Sequence, residues 1–532
     1  MNQRRGLLIL QLAVIAGVCS FFFYFGLGAF GLTGADEPRY AQIAREMFAR
    51  HDWIVPTLNG QPWLEKPVFL YWKIWNSYEI FGVHDWAARV PAATHASALV
   101  LVVFFFMRRF RPGSQMIAAL TAVSSAAMIG FGRGASTDMP LAATFAAAML
   151  CWWAWHATAR KLWLAFFYAL LAIGVLAKGP VAPALAILIV AAYAFLKHDK
   201  KIFFRSLWLP GFLLFFAIAL PWYIAIQIKV PQFFRIFFIE HNLERFGTNL
   251  YQHSQPFWYY VPVFLLSMLP WTVFTLMAMV EAGKSGVHRF RVGESTNEKD
   301  DGLTSFLLVW ILLPIIFFSI SRSKLPGYIL PAIPAAAVLT ADYLWRRARV
   351  SRWTMMLHSL ICGGLIAGAL MAPSLMLKVP LTTNARTWVI TGTGLIAILV
   401  LLIVQLGGLR MLQSATLIPV IIAMAFLLRP AAPVLDEVNS ARTVNAQLRE
   451  AGAPEGPIAV FGVKRDVEYG LNFYRNQPIS RYERNEIPEA AHVVIVREGN
   501  GGAVQAVVGQ RQVSPLGSFP PQHLEFFLVS KK

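Results

Sequence analysis

Two carboxylates and one guanidinium stand directly after the first long apolar run of the chain. The stretch "TGADEPRYAQ" (residues 33–42) contains Asp36, Glu37 and Arg39, with Tyr40 beside them. A carboxylate can take up a proton or stabilise a developing cation, and a guanidinium binds phosphate through two parallel hydrogen bonds. The stretch therefore predicts a site for an anionic ligand, with Asp36 and Glu37 as candidate catalytic acids and with Arg39 and Tyr40 as candidate binding residues.

A second acid–base pair, Glu65 and Lys66, interrupts the aromatic stretch "WLEKPVFLYW" (residues 63–72). An ionisable pair at a membrane edge costs free energy unless the charges pair with each other or bind something. Other polar residues stand where later apolar runs end, and cations that topology does not require favour an anionic ligand such as phosphate. These residues are Asp138, a third candidate acid, and the candidate phosphate or lipid contacts Lys66, Lys178, Arg245, Lys324 and Tyr328.

Each of these residues also has a purely structural interpretation. The acids can cap the first turns of helices, and the Glu65–Lys66 pair can be a plain interfacial ion pair. The remaining cations and tyrosines can anchor the ends of spans at the membrane interface. The functional interpretation requires that these scattered polar groups meet in space on one face of the membrane.

A divalent metal is a further option. Glu65, His241 and His253 are candidate ligands, because His and Glu side chains are suitable zinc ligands. Their spacing follows no tight metal-binding motif, and loop histidines more often serve as hydrogen-bonding residues. The acid–base and phosphate-binding chemistry of the other candidate residues requires no cofactor.

The composition is that of a polytopic membrane protein. Of 532 residues, 57% are hydrophobic and only 14% are charged, and the mean hydropathy is +0.54. Soluble chains carry about 25% charged residues. The formal net charge of +19 is explained by basic cytoplasmic loops, so we expect no nucleic-acid partner. The three cysteines lie inside apolar runs and predict no disulfide framework.

The long apolar runs predict about thirteen transmembrane helices, because a span needs about 20 apolar residues. With the N-terminus in the cytoplasm, the basic clusters fall in alternate, cytoplasmic loops, as the positive-inside rule requires. The predicted spans are 7–31, 90–107, 114–131, 138–157, 162–177, 181–197, 206–226, 257–280, 304–320, 327–346, 354–372, 387–404 and 412–428.

Two outward parts of the chain are long enough to have structure of their own. The first loop, residues 32–89, predicts helices that lie along the interface, since Tyr40, Ile43 and Met47 follow helical spacing. The tail predicts a small α/β unit, with strands in "PIAVFGV" and "HVVIVRE" and a helix between them. We therefore expect a transmembrane domain, residues 1–428, and a soluble periplasmic domain, residues 429–532.

Several motifs together resemble a known family. They are "DEPRYAQIAREM", "DWIVPTLNGQPWLEKP", "TDMPL", "LAKGP" and "SKLPGYILP". The set resembles the bacterial aminoarabinose transferases that modify lipid A, which belong with the protein O-mannosyltransferase-like enzymes of the GT-C fold. The resemblance covers the whole chain and implies a multi-pass protein of the bacterial inner membrane with a periplasmic active site.

The resemblance also implies substrates and roles. The donor would be 4-amino-4-deoxy-L-arabinose on undecaprenyl phosphate, and the acceptor a phosphate of lipid A, with membrane lipid around it and no obligate protein partner. The added amine would weaken binding of polymyxin and other cationic peptides. The family's motif positions fall on Asp36 as the catalytic carboxylate, Glu65 and Lys66, Asp138, and the turn from Lys324 to Tyr328.

Two alternatives stay open at this stage. The first is a protein O-mannosyltransferase or another polyprenyl-phosphate-sugar transferase, because such relatives use similar motifs. The second is a lipid transporter, which would place ionisable residues near the bilayer midplane. Here the charges of interest cluster at one face, which favours interfacial chemistry over transport.

Overall fold

The computed structural model describes residues 2–237, 240, 255–292, 302–453 and 455–530, and most of these residues are helical. Within them, nine helices are long and apolar enough to cross a membrane, or eleven if each of two bent pairs is one span. A helix suits lipid because its backbone hydrogen bonds are all internal. The nine are Arg5–Tyr24, Asp85–Phe110, Lys161–Lys178, Leu209–Lys229, Leu303–Ile320, Pro326–Trp345, Arg352–Leu377, Thr383–Gly407 and Leu409–Leu428.

Two bent helix pairs and two further helices account for the other predicted spans. Each of the about thirteen predicted segments thus falls on a helix or a bent pair. The predicted polytopic helical fold is confirmed. The bent pairs are Gln115–Ser124 with Ala126–Gly132 (61°) and Phe257–Ser267 with Thr272–Ser285 (118°), and the further helices are Asp138–Thr158 and Val181–Leu196.

The first loop contains two helices, Asp36–Arg50 and Phe69–Phe81, which pack on each other. Tyr40, Ile43 and Met47 are buried, as their helical spacing predicts. A short hairpin lies between the helices and is fastened to the first of them by Glu46, which accepts hydrogen bonds from Thr57, Asn59 and Gly60. Its strands are β1 (Thr57–Leu58) and β2 (Gln61–Pro62).

The C-terminal domain is a five-stranded mixed sheet with helices on both faces. The strands lie in the order β4-β3-β5-β7-β6; β3 is parallel to β4 and β5, and the other neighbours are antiparallel. The predicted strands correspond to β3 and β5. The elements are helices Ala432–Asn439, Ala441–Glu450, Arg465–Arg475 and Gly501–Val508, and strands β3 (Ile458–Phe461), β4 (Ile479–Arg481), β5 (His492–Arg497), β6 (Gln512–Phe519) and β7 (Leu524–Ser530).

The C-terminal domain shares an apolar core with the first loop. Tyr469 and Phe473, on helix Arg465–Arg475, are buried in the same hydrophobic cluster as Tyr40 and Met47. Polar contacts at this boundary are equally specific: Arg442 pairs with Asp85 at 3.2 Å, and Asp436 accepts from the backbone N–H of Gly31 at 2.7 Å. The C-terminal domain is thus packed against the first loop and the start of helix Asp85–Phe110.

Candidate active site

Asp36, Arg39 and Glu65 form a group of charges that we call the first-loop cluster. The i, i+3 spacing puts Asp36 and Arg39 on one face of their helix. Arg39 Nη2 donates to Asp36 Oδ1 at 2.5 Å, and Arg39 Nη1 lies 3.8 Å from Glu65 Oε2. The Asp36 side chain is 57% exposed, whereas that of Arg39 is only 10% exposed. Asp36 is therefore the member that a ligand can reach most easily, and it has a fixed cation beside it.

Three aromatic rings enclose the Arg39 guanidinium. Its Cζ lies 5.2 Å from the ring centre of Tyr40, 5.1 Å from that of Trp63 and 5.5 Å from that of Tyr469. Aromatic faces attract cations at such distances. Burial opposes the charge, but the carboxylates of Asp36 and Glu65 outweigh it, so the pKa of Arg39 lies above its ordinary value. The guanidinium is a permanent cation held by residues from the first loop and the C-terminal domain.

The first-loop cluster has a surplus of hydrogen-bond donors. Arg39 Nε, Trp63 Nε1 and the Tyr71 hydroxyl are buried and have no hydrogen-bond partner among the described residues. Burial raises the pKa of Tyr40 and of Tyr71, so both hydroxyls stay protonated at neutral pH. Surplus donors beside a cation suit the oxygen atoms of a phosphate or a sugar.

Glu37 follows Asp36 in the chain but is buried and fully engaged. Its carboxylate pairs with Arg89 at 2.7 and 3.0 Å, and it accepts from the backbone N–H groups of Thr33 at 2.9 Å and Ala135 at 2.7 Å. Burial opposes ionisation, but Arg89 and these backbone donors outweigh it, so the pKa of Glu37 lies below its ordinary value. Glu37 therefore ties the first loop to helix Asp85–Phe110.

Asp138, Lys178 and Tyr328 form a second group, here called the span cluster. Lys178 Nζ donates to Asp138 Oδ1 and lies 5.1 Å from the centre of the Tyr328 ring. Asp138 and Lys178 lie at the ends of helices Asp138–Thr158 and Lys161–Lys178, and Tyr328 lies in the turn Pro326–Ala332. The fold thus brings together three candidate residues that are far apart in sequence.

Glu37 also connects the two clusters. Its Oε1 accepts from the backbone N–H of Ala135, three residues before Asp138. A chain of three residues spans at most about 11 Å, so the contact between Glu37 and Ala135 limits the distance between the two clusters. Asp36 and Asp138 are therefore held on the same side of the helical bundle by a buried, charged contact.

The other predicted binding residues have less informative positions. Lys66 is half-buried in the first loop. Lys324 is buried, and its Nζ donates to the carbonyl of Ser321 at 2.5 Å, within its own turn. Three predicted residues lie outside the described part of the chain: His241, Arg245 and His253.

The predicted metal group is therefore seen only in part. Of its three candidate ligands, Glu65 is described and lies 3.8 Å from Arg39. Among the residues that the structure describes, no group of three His, Cys, Asp or Glu side chains is arranged to hold a metal ion. Because both histidines lie outside those residues, the metal site stays a prediction.

Two apolar cavities approach the clusters. The larger, of about 930 Å³, lies between helices Lys161–Lys178 and Leu209–Lys229 and includes Val175, about one turn from Lys178. The smaller, of about 430 Å³, has a polar end formed by Glu37, Arg89 and Arg133 and otherwise apolar walls. In the described part of the chain they share no lining residue. Each is large enough to take part of a lipid chain.

Sequence reasoning missed two residues that shape the site. Arg89 stands at the mouth of a predicted span, and a lone cation in that position is itself a signal of a buried partner. Tyr469 carries no comparable signal, since it is one of several aromatic residues in the tail. Trp63, at the start of the aromatic stretch of residues 63–72, contacts Arg39 in the structure.

The chain has the fold of the GT-C membrane glycosyltransferases. Its structure matches the crystal structure of ArnT from Cupriavidus metallidurans bound to undecaprenyl phosphate, with a TM-score of 0.78, 22% sequence identity and 98% of each chain covered. Residues 15–237 match the family dolichyl-phosphate-mannose-protein mannosyltransferase. The predicted fold class, including a small C-terminal sheet domain, is confirmed.

Within this class the chain is similar to proteins named undecaprenyl phosphate-alpha-4-amino-4-deoxy-L-arabinose arabinosyl transferase. It is 33% identical over 320 residues to that of Edwardsiella ictaluri, covering 58% of this chain and 55% of the relative. It is 32% identical over 379 residues to that of Serratia proteamaculans, covering 68% of this chain and 65% of the relative. The matches thus span between half and two thirds of these relatives, and the resemblance stated from the motifs is confirmed.

Proposed function

We propose that this protein transfers 4-amino-4-deoxy-L-arabinose from undecaprenyl phosphate to a phosphate of lipid A at the periplasmic face of the bacterial inner membrane. The observation that carries this proposal is the pair of carboxylate–cation–aromatic clusters joined by Glu37. A reaction between two lipids needs such a polar centre with separate apolar spaces beside it. The cationic product would give resistance to polymyxin and other cationic peptides.

The donor phosphate is the leaving group, and it gains negative charge as the glycosidic bond breaks. Cations placed beforehand at that position stabilise the charge in the transition state. We assign this role to Arg39, Lys66 and Lys178, with Tyr328 donating a hydrogen bond. The apolar cavity beside Val175 would take part of the polyprenyl chain. Arg245 and Lys324 remain proposed contacts of the phosphate or the lipid.

The acceptor does not need a strong base. The second pKa of a phosphate monoester is about 6, so the attacking oxygen is already largely ionised at neutral pH. Asp36 would instead stabilise the developing positive charge on the sugar, orient the acceptor or hold the sugar's ammonium group. Its exposure beside buried Arg39 supports such a role. Asp138 would act beside it through Lys178.

Glu37 takes a positioning role in this proposal. Each of its oxygens already accepts hydrogen bonds from Arg89 and from the backbone. A carboxylate so engaged has little capacity left for a substrate. Its part is to hold Asp36 and the start of helix Asp138–Thr158 in place.

The proposed topology rests on the basic clusters that fall in alternate loops of the sequence. The N-terminus would be cytoplasmic, and both clusters and the C-terminal domain would be periplasmic. The boundary proposed at residues 428 and 429 falls directly after helix Leu409–Leu428. Accessibility labelling of single cysteines placed in the first loop and in the tail would test this orientation.

Mass spectrometry of lipid A tests the function. Cells that express the protein, and cells that lack it, are grown with the aminoarabinose donor available. The proposal predicts a mass increase of one aminopentose on lipid A only where the protein is present, and it predicts survival at higher polymyxin concentrations. An unmodified lipid A under these conditions contradicts it.

A second candidate function is transfer of a polyprenyl-linked sugar to a protein hydroxyl. The match of residues 15–237 to the protein mannosyltransferase family favours it. A Ser or Thr hydroxyl does need a base, which Asp36 would supply. A sugar found on secreted proteins, with lipid A unchanged, would select this alternative.

Metal dependence is tested separately. We retain Glu65, His241 and His253 as a proposed group for a divalent cation. Purified protein treated with a chelator, and then supplied with zinc or magnesium, is assayed for transfer. Unchanged transfer after chelation would remove the metal from the proposal without affecting the assignment of substrates.

A further inference from the structure

The C-terminal domain contributes one side chain directly to the first-loop cluster. Tyr469 lies on helix Arg465–Arg475, which packs across helix Asp36–Arg50. Its ring centre is 5.5 Å from the guanidinium carbon of Arg39, and both side chains are buried. The membrane domain supplies the other two rings around Arg39, so the enclosure is complete only when the soluble domain is docked.

The helix that carries Tyr469 is held by two hydrogen bonds near its C-terminal end. Arg45 donates to the carbonyl of Phe473 at 2.9 Å, and the Tyr474 hydroxyl accepts from the backbone N–H of Leu32 at 2.8 Å. These contacts hold helix Arg465–Arg475 to the first loop. The ring of Tyr469 is thus held in a fixed position against the guanidinium of Arg39.

A fixed ring beside Arg39 matters because two carboxylates lie close enough to pair with its guanidinium. Asp36 lies at 2.5 Å and Glu65 at 3.8 Å, and a long, flexible side chain between two acids can adopt more than one arrangement. A ring on the side of the C-terminal domain limits the guanidinium to the arrangement that meets Asp36.

We propose that Tyr469 is a positioning residue that holds Arg39 against Asp36, so that the C-terminal domain completes the active site. This inference rests on the proposed function. In the absence of the Tyr469 ring, Arg39 would be free to turn toward Glu65, and both the charge presented to the donor phosphate and the orientation of Asp36 would change.

Phe473 provides a matched control on the same helix. It is also aromatic, buried and in the same hydrophobic cluster, and it lies over a cation, with Arg45 Cζ at 5.6 Å from its ring. Arg45 is not part of either cluster. A leucine at Phe473 therefore removes a comparable amount of packing from the same interface without touching Arg39.

The experiment compares Tyr469→Leu, Tyr469→Phe and Phe473→Leu in the full-length protein, with purified polyprenyl-phosphate-linked donor and lipid A. Loss of one buried cation–aromatic contact predicts that kcat of Tyr469→Leu falls about tenfold, because Arg39 is misplaced in the transition state. Tyr469→Phe keeps the ring face and is expected to retain kcat within about twofold. Phe473→Leu is expected to lower thermal stability as much as Tyr469→Leu but to leave kcat within about twofold.

A double-mutant cycle completes the test. In an Arg39→Gln background the cation is already gone, so adding Tyr469→Leu is expected to lower kcat no further. An additive effect, an equal loss in Phe473→Leu, or an equal loss in Tyr469→Phe would overturn the positioning role. Failure of the proposed function gives a different result, because the unsubstituted protein then transfers no sugar to lipid A. In that case the same series of variants is measured with the acceptor that the protein does use.

Discussion

The first-loop cluster and the span cluster contain the same kinds of side chain but differ in which of them are buried and in which domain supplies the aromatic ring. Each places a carboxylate at the first turn of a helix, a cation beside it and an aromatic ring against that cation. In the first-loop cluster the acid is exposed and the cation is buried, and one enclosing ring comes from another domain. In the span cluster acid and cation are both largely buried, and every part comes from the membrane domain.

This difference assigns different work to the two acids. An exposed carboxylate whose cation is held by other groups can meet a substrate without losing its own environment. A largely buried carboxylate paired with lysine acts mainly by setting the position and charge of that lysine. We infer that Asp36 meets the reacting sugar or the acceptor and that Asp138 acts through Lys178.

The largest expected effect follows from removing the exposed charge. Asp36→Asn keeps the size of the side chain, and we expect transfer to fall about 1000-fold, as for loss of a catalytic acid or a charge-stabilising group. Asp138→Asn is expected to cost only about tenfold, because Lys178 keeps its contact with Tyr328. Initial rates with purified protein measure both.

Asp52→Asn is the control for these variants. Asp52 follows the other end of the same helix and caps the backbone N–H groups of Ile54 and Val55, a role that asparagine can keep. We expect its activity within about twofold of the unsubstituted protein. Near-normal transfer by correctly folded Asp36→Asn would remove Asp36 from the mechanism. It would also contradict the assignment of the exposed acid, rather than the buried one, to the reacting groups.

The second expected effect is on stability, at the residue that joins the clusters. Glu37→Gln leaves the buried Arg89 without its countercharge, and such a loss costs about 3–5 kcal/mol of unfolding free energy. Unfolding in detergent, followed by fluorescence while temperature or denaturant rises, measures it. Glu79→Gln, the same change at an exposed glutamate of helix Phe69–Phe81, is expected to change stability by less than about 0.5 kcal/mol.

The pH dependence of Glu37 has a definite sign. Its pKa is lower in the folded protein, so its stabilising contribution is fully present above the ordinary glutamate pKa of about 4.3. That contribution is lost as the pH falls through the lowered folded value. The unsubstituted protein is therefore expected to lose stability more steeply than Glu37→Gln between neutral and strongly acidic pH. Parallel curves for the two proteins would contradict the buried ion pair.

The third effect concerns the cation of the span cluster. Lys178→Met keeps most of the length of the side chain and removes its charge. The leaving phosphate then loses one stabilising cation, and Asp138 loses its partner. We expect transfer to fall about 30-fold. Lys161 begins the same helix and also lies over an aromatic ring, that of Trp208 at 6.0 Å. Lys161→Met is therefore the control, and an equal loss there would show that only helix packing is measured.

The fold was far more predictable from the sequence than the contacts within the site. Apolar runs and alternating basic loops report on the membrane directly, and each predicted span falls on a helix or a bent pair. The motifs also identified Asp36, Asp138, Lys178 and Tyr328 as candidates on one face. The sequence did not show which charged residues pair with each other. Glu37 is buried against Arg89 although the adjacent Asp36 is exposed, and this pairing depends on a contact between distant parts of the chain.

The smallest expected effect comes from a glycine that the span cluster packs against. A Cβ atom at Gly327 would lie 2.7 Å from Asp138 Cγ, so Gly327→Ala must displace that carboxylate. We expect transfer to fall about fivefold, because every charge stays and only the geometry changes. Gly130→Ala is the control, since a Cβ there meets nothing within 4 Å. If both variants transfer at the normal rate, the span cluster tolerates displacement of Asp138, and its role is electrostatic rather than one of precise placement.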